Sequence, residues 1–343
     1  MIQKRAAVVP AAAAMALLVW KSEAVTAGAG QALALCRDVL IPATFPFMVL
    51  SAIGAEGVDG RAGGRKNRLA GLFGISGAGL PVVLLSLIGG YPVGAAMAGQ
   101  CAARGKISPG EGARLCCFCF NAGPGFVVGA VGTALLGSPV TGAVLYAALC
   151  LASLTTGVLL GFFGKEKEMV PQPDGEDTVS LVQTLTRGVR LGSENMLQVA
   201  AWVVLFGALS GLVPPGLGQT AKGLLACLAE ISGGMARAVR WLPLPAAAAF
   251  LSFGGLCTHC QVMSLVRGTG LTYRRFLMAR CAAAGLAAAF AWGMFRLFPA
   301  AAVTRAMAST VNPVLSYAGV PTAVSLLFMC VIFVLGLDIR EKV

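Results

Sequence analysis

The chain is 343 residues long, 57% hydrophobic and only 12% charged, with mean hydropathy +0.82 and a formal net charge of +12. So few charges cannot cover a water-facing surface, and the apolar runs reach the roughly 20 residues of a bilayer span, which excludes a soluble domain and makes the lipid bilayer the first partner. The surplus Lys and Arg lie in short loops between apolar runs, where they set orientation, and no basic stripe is interleaved with stacking aromatics, which excludes a nucleic acid polymer as partner.

In chain order, Lys4-Arg5, an apolar run from Ala6 to Trp20 and the small residues Val25-Thr26-Ala27 have the outline of a cleavable leader. We read 1–32 instead as a retained N-terminal membrane helix. A first unit, 33–164, then holds a helix near Leu33 to Gly54, a basic loop Arg61 to Arg68 and a glycine-broken segment Leu69 to Ala103. After a polar turn it continues with a helix Glu111 to Leu136, interrupted at Asn121-Ala122-Gly123-Pro124-Gly125, and a helix Val140 to Phe163. Residues 165–188, with Pro171 and Pro173, form the hydrophilic linker. The second unit, 189–298, repeats the order with a helix Val189 to Val213, a broken segment Ala221 to Arg240, a helix Leu244 to Val266 interrupted at Gly254-Gly255, and a helix Thr272 to Leu297. Residues 299–343 supply a last span, about Pro321 to Leu337.

The expected architecture is therefore all-α: a polytopic membrane protein of two inverted repeats, each with a re-entrant hairpin and a broken helix. The interruptions carry the argument. Gly89-Gly90-Tyr91-Pro92-Val93-Gly94 breaks one apolar run, and Ile231-Ser232-Gly233-Gly234, beside Glu230, breaks its partner in the other half. In hydrocarbon every backbone N–H and C=O must be satisfied, so broken helices survive only where they line an enclosed cavity, and paired breaks in two halves mark a transporter's binding site. With both broken segments as hairpins, 19 of the 26 Lys and Arg fall on the cytoplasmic side and the halves are inverted. Taken as full spans, the same segments put the central linker outside.

Candidate binding residues follow from these breaks. Gly90 and Gly123 permit the turns, Tyr91 offers a hydroxyl and a stacking face, and the Asn121 amide both donates and accepts. Glu230, costly at membrane depth, reads as a proton or cation site beside the Ser232 hydroxyl, against a structural pairing with Arg237. His259 and Gln261 offer an imidazole and an amide to a heterocycle or sugar edge, against a role for the histidine as a satisfied structural donor. Cys116-Cys117-Phe118-Cys119 and Cys257-Thr258-His259-Cys260 lack the separated second ligand pair of a structural zinc site and read as small packing residues, so no metal and no cofactor is expected.

Leu87 to Ala95 with Gly-Gly-Tyr-Pro at its centre, Gly105-Lys106-Ile107-Ser108 with Glu111 and Arg114-Leu115, Phe120 to Gly132, and Phe253 to Ser264 with Tyr273, Phe276-Leu277 and Arg280 resemble the YlbJ-type sporulation integral membrane proteins, over about Leu35 to Arg296. The resemblance implies gate-like repeats of the nucleoside-recognition type, related to nucleoside transporters, and a part in spore cortex formation. Cys119-Phe120 departs from the second amide or serine expected ahead of Asn121. The leading expectation is a secondary transporter of a small polar solute, nucleoside-like or cortex-related, coupled to a cation or proton. A non-transporting scaffold or sensor for sporulation proteins is the alternative. An enzyme is not expected, since neither a His-Glu-x-x-His helix nor a Gly-x-Ser-x-Gly elbow is present. Self-association into a homo-oligomer is left open.

Overall fold

A computed structural model describes residues 8–58, 68–163, 180–214, 216–266 and 268–299. The expected last span at 321–337 and most of the linker lie outside the described residues. Everything regular within them is helical. The helices are α1 (Val8–Trp20), α2 (Ser22–Leu35), α3 (Ile41–Gly57), α4 (Arg68–Phe73), α5 (Leu80–Gly89), α6 (Val93–Ala103), α7 (Pro109–Phe118), α8 (Pro139–Phe163), α9 (Leu181–Ser210), α10 (Gln219–Ala229), α11 (Ile231–Ala238), α12 (Leu244–Phe253), α13 (Gly255–Leu265) and α14 (Tyr273–Leu297). Two π-helical stretches, Cys36–Leu40 and Gly125–Leu135, complete the path. By length and composition Pro139–Phe162, Leu244–Leu265 and Tyr273–Leu297 are long and apolar enough to cross a membrane.

Two long strips form one wall. Helices α2 and α3 run almost without interruption from Ser22 to Gly57, and the 30-residue α9 packs antiparallel along both. The approach is close because glycines face backbone: Gly28 lies on the Gly207 carbonyl, Gly211 on the Ala24 carbonyl, Gly188 on Ile53 and Gly192 on Val49. Where the sequence suggests a start at 189, α9 begins at Leu181, so part of the expected linker is helix.

Against this wall the same order of elements occurs twice: a pair of short helices, a broken helix, and a 25-residue helix (α8, then α14). Helices α5 and α6 double back, with Gly94 against the Ser86 side chain, and α10 and α11 do the same, with Gly234 against the Cys227 backbone. The feet of the first pair lie at the end where Arg104 Nη2 meets Glu56 Oε1 at 3.2 Å, Lys106 Nζ donates to the Glu56 carbonyl at 2.5 Å, and Ser76 N donates to Glu111 Oε1 at 2.9 Å. This end also carries exposed Arg68, Arg187, Arg190, Arg274 and Arg275. The feet of the second pair follow the far end of α9.

Two expectations shift in detail. The break in the second pair is one residue, Glu230, and Ile231-Ser232-Gly233-Gly234 are the first turn of α11 rather than the interruption. Gly234 is needed for contact with α10, not for a turn. Arg114 and Arg280, two of the 19 Lys and Arg that the hairpin path places on the cytoplasmic side, are buried in the helix core.

Candidate functional site

The four interruptions meet. Gly90, at φ 75°, lies against the backbone of Gly123, and the Tyr91 N–H donates to the Asn121 carbonyl at 2.6 Å, so the first hairpin tip plugs into the break of the first broken helix. Gly255, at φ 76°, lies against Cys227, Ala229 and Ile231 backbone atoms, so the second tip plugs into the second break. The two assemblies touch through Phe120. Its ring stacks on Tyr91 with centroids 4.8 Å apart, meets His259 edge-on at 5.9 Å, and fills the space where Gly254, at φ 88°, has no Cβ. Alanine at Gly254 would be both strained and in collision, which explains glycine there.

A broken helix leaves carbonyls without intrahelical partners, and each must find a donor. Arg280, fully buried at 0% exposure, donates Nη1 to the Phe120 carbonyl at 2.8 Å and Nη2 to the Cys117 carbonyl, while its guanidinium lies 4.9 Å from the Phe120 ring centroid. Ser153 Oγ donates to the Phe118 carbonyl at 2.9 Å, and the Tyr146 hydroxyl donates to the Leu87 carbonyl at the first hairpin tip. In the second half His259 Nε2 lies 2.8 Å from the Phe253 carbonyl, an acceptor, so Nε2 carries the proton and Nδ1 faces the Tyr273 hydroxyl at 3.5 Å. Asn121, 1% exposed, donates Nδ2 to Cys150 Sγ at 3.6 Å and leaves Oδ1 buried without a partner.

Glu230 has a different position. It precedes α11 in extended backbone, and its two carboxylate oxygens accept the Ser232 N–H at 2.8 Å and the Gly233 N–H at 2.7 Å, so it is the N-cap of that helix. The helix dipole favours a negative group there. Glu230 also lines a cavity of about 270 Å³ with Arg237. Thus Gly90, Tyr91, Asn121, Gly123 and His259 gather around Phe120, whereas Glu230 and Ser232 stand at the second tip, on the other side of Gly255. Gln261 lies farther along α13, donating Nε2 to Cys257 Sγ at 3.3 Å.

Phe120, Tyr146, Ser153 and Arg280 are absent from the candidates the sequence suggests. The local signal is weak, because Ser153, Tyr146 and Arg280 reach carbonyls 35, 59 and 160 residues away in the chain. Phe120 and Arg280 do fall within the motifs of the resemblance, but nothing in their spacing marks them as partners.

A curated relative, the sporulation integral membrane protein YlbJ of Bacillus subtilis (strain 168), is 25% identical over 197 residues, covering 51% of this chain and 48% of that protein. The chain thus spans about half the length of the curated relative it matches. No family model matches, and no solved structure does.

Proposed function

We propose that this protein is a multi-pass protein of a sporulation membrane or the cell membrane that moves a small polar solute needed for cortex formation. The solute passes between two re-entrant hairpins belonging to inverted repeats. One observation carries the reading: two helix hairpins with feet at opposite ends of the molecule each push a tip into a broken helix, and the two assemblies meet where Phe120 packs on Gly254. Discontinuous helices whose ends converge on a common point are how transporters build a polar site at membrane depth. The concentration of Arg and Lys at the feet of the first hairpin supports a cytoplasmic location for that end and an outside location for the feet of the second. The part in sporulation is taken from the name of the relative.

In this reading Asn121 Oδ1, buried and unpartnered, is a vacant acceptor for solute or coupling cation, and Glu230 is the charge at the opposite tip. The test is complementation of cortex formation in a spore-forming host lacking its own copy, with membrane abundance and melting temperature measured alongside. Asn121→Ala and Glu230→Gln should abolish cortex formation at normal abundance. Full cortex formation by both would remove the site, and a scaffold that needs only the fold would then be the better account.

A further inference from the structure

The two hairpins are not equally enclosed. Along α6, Val93 through Gly99 are buried without interruption, and Gly94 lies on the Cys119 carbonyl, so the cytoplasmic side of the first tip is sealed. Along α11, Ala236 and Arg237 are exposed, Ser232 and Gly233 are half-buried, and a cavity of about 270 Å³ runs between this hairpin and the α2–α9 pair. Gln31 and Ser210 border it on the wall side, Glu230 and Arg237 on the hairpin side, with Leu35 and Phe206 as apolar surface.

We propose that this cavity is the chamber through which solute reaches the second hairpin tip from the outside, and that the space it encloses suits a molecule of single-ring size. The inference rests on the transporter reading above. It adds a direction of access and a bound on the solute. Glu230 lies at the tip and Arg237, seven residues on, stands about 10 Å away along the helix axis, given a rise of about 1.5 Å per residue, so the two charges mark the depth and the mouth of one passage. The Glu230 oxygens bond to the Ser232 and Gly233 amides, so the guanidinium at the mouth is not tied down by that carboxylate. The volume falls just under the roughly 300–1,000 Å³ of pockets that take drug-sized ligands. A lipid-linked or oligomeric precursor of the cortex is larger than this space can enclose. A monomeric metabolite with hydrogen-bonding edges fits, recognised by one carboxylate, one guanidinium, an amide and a hydroxyl against an apolar wall.

The experiment uses single cysteines in the full-length protein in sealed right-side-out vesicles, with exposed Cys281 replaced by Ser and that parent as baseline. Ala229→Cys sits beside Glu230, Ser210→Cys lines the cavity from α9, and Ala98→Cys lies in the sealed arm. Added outside, the small cationic methanethiosulfonate MTSET should modify the first two and not the third. A polyethylene-glycol maleimide should modify none. Reaction of neither Ala229→Cys nor Ser210→Cys with external MTSET overturns the route, and equal reaction with the large maleimide overturns the size bound. Because α9 and the hairpin are substituted separately, misfolding of one variant leaves the other to decide. External labelling combined with full cortex formation by Glu230→Gln would keep the chamber and discard the transporter site. Loss of cortex formation without labelling would do the reverse.

Discussion

Arg280 carries a charge into an apolar core and donates from both terminal nitrogens to backbone. Two carbonyls released by the break after α7 depend on it, and the faces of Phe120 and Phe276, 4.9 and 5.8 Å from its guanidinium carbon, border it. A planar fork can hold both carbonyls, whereas an ammonium is a point donor. Arg280→Met should therefore destabilise the protein by about 1–3 kcal/mol for each carbonyl left bare, and lower the melting temperature in detergent more than Arg280→Lys does. Equal stability of Arg280→Met and the parent would mean that water or another side chain takes over the carbonyls. Glu230 invites a related separation of roles. Its carboxylate caps α11 with both oxygens, and Gln retains one acceptor, so Glu230→Gln should remain nearly as stable as the parent while Glu230→Ala loses about 0.5–2 kcal/mol. If Gln and Ala destabilise equally, the cap is not what Glu230 supplies and its loss of function cannot be assigned to charge.

At the scale of elements, glycine serves two purposes, and at a third kind of position none, and sequence alone does not distinguish them. Gly90, Gly254 and Gly255 have positive φ and form tips or breaks, Gly94 and Gly234 permit two arms to touch, and Gly30 has no neighbour within 4 Å of a Cβ built on it. Gly254→Ala should destabilise through strain and collision with Phe120, while Gly30→Ala in α2 should be neutral or stabilising by roughly 0.5–1 kcal/mol. Thermal unfolding of the two variants in parallel checks this, and a stable Gly254→Ala would show that Phe120 can move aside. The same distinction explains what is legible in the sequence. The breaks at Gly89 to Val93, at Asn121 to Gly125 and at Gly254-Gly255 are readable because Gly and Pro disturb a helix locally. The doubling back of α10 and α11 is also marked, but its turn reads as Gly233-Gly234 when it is Glu230, since a glycine for close packing has the same letter as a glycine for a turn. The donors that satisfy the broken backbone are not readable, because Tyr146, Ser153 and Arg280 act across long sequence separations with no pattern of their own. Arg280 in particular reads as one more cytoplasmic charge with Arg274 and Arg275 at the start of its helix.

For the whole molecule, helix direction and charge must agree. Helix α8 runs from the α12 end toward Arg68, with Gly161 against the Leu72 carbonyl, and α14 starts at Arg274 and Arg275 and runs the other way, so the two 25-residue helices cross in opposite senses. If the halves are inverted, residues at the start of α14 and after α11 face opposite aqueous compartments. Cysteines at exposed Arg274 and exposed Arg240 therefore make a direct pair. In intact cells Arg274→Cys should resist an impermeant maleimide until the membrane is opened, and Arg240→Cys should react at once. A third cysteine in the stretch 165–177, whose structure lies outside the described residues, should behave like Arg274→Cys, because α8 arrives at the basic end and α9 departs from it. Labelling of Arg274→Cys and Arg240→Cys from the same side would leave the contacts around Phe120 intact but end the inverted arrangement, and with it the account of two hairpins that open in turn.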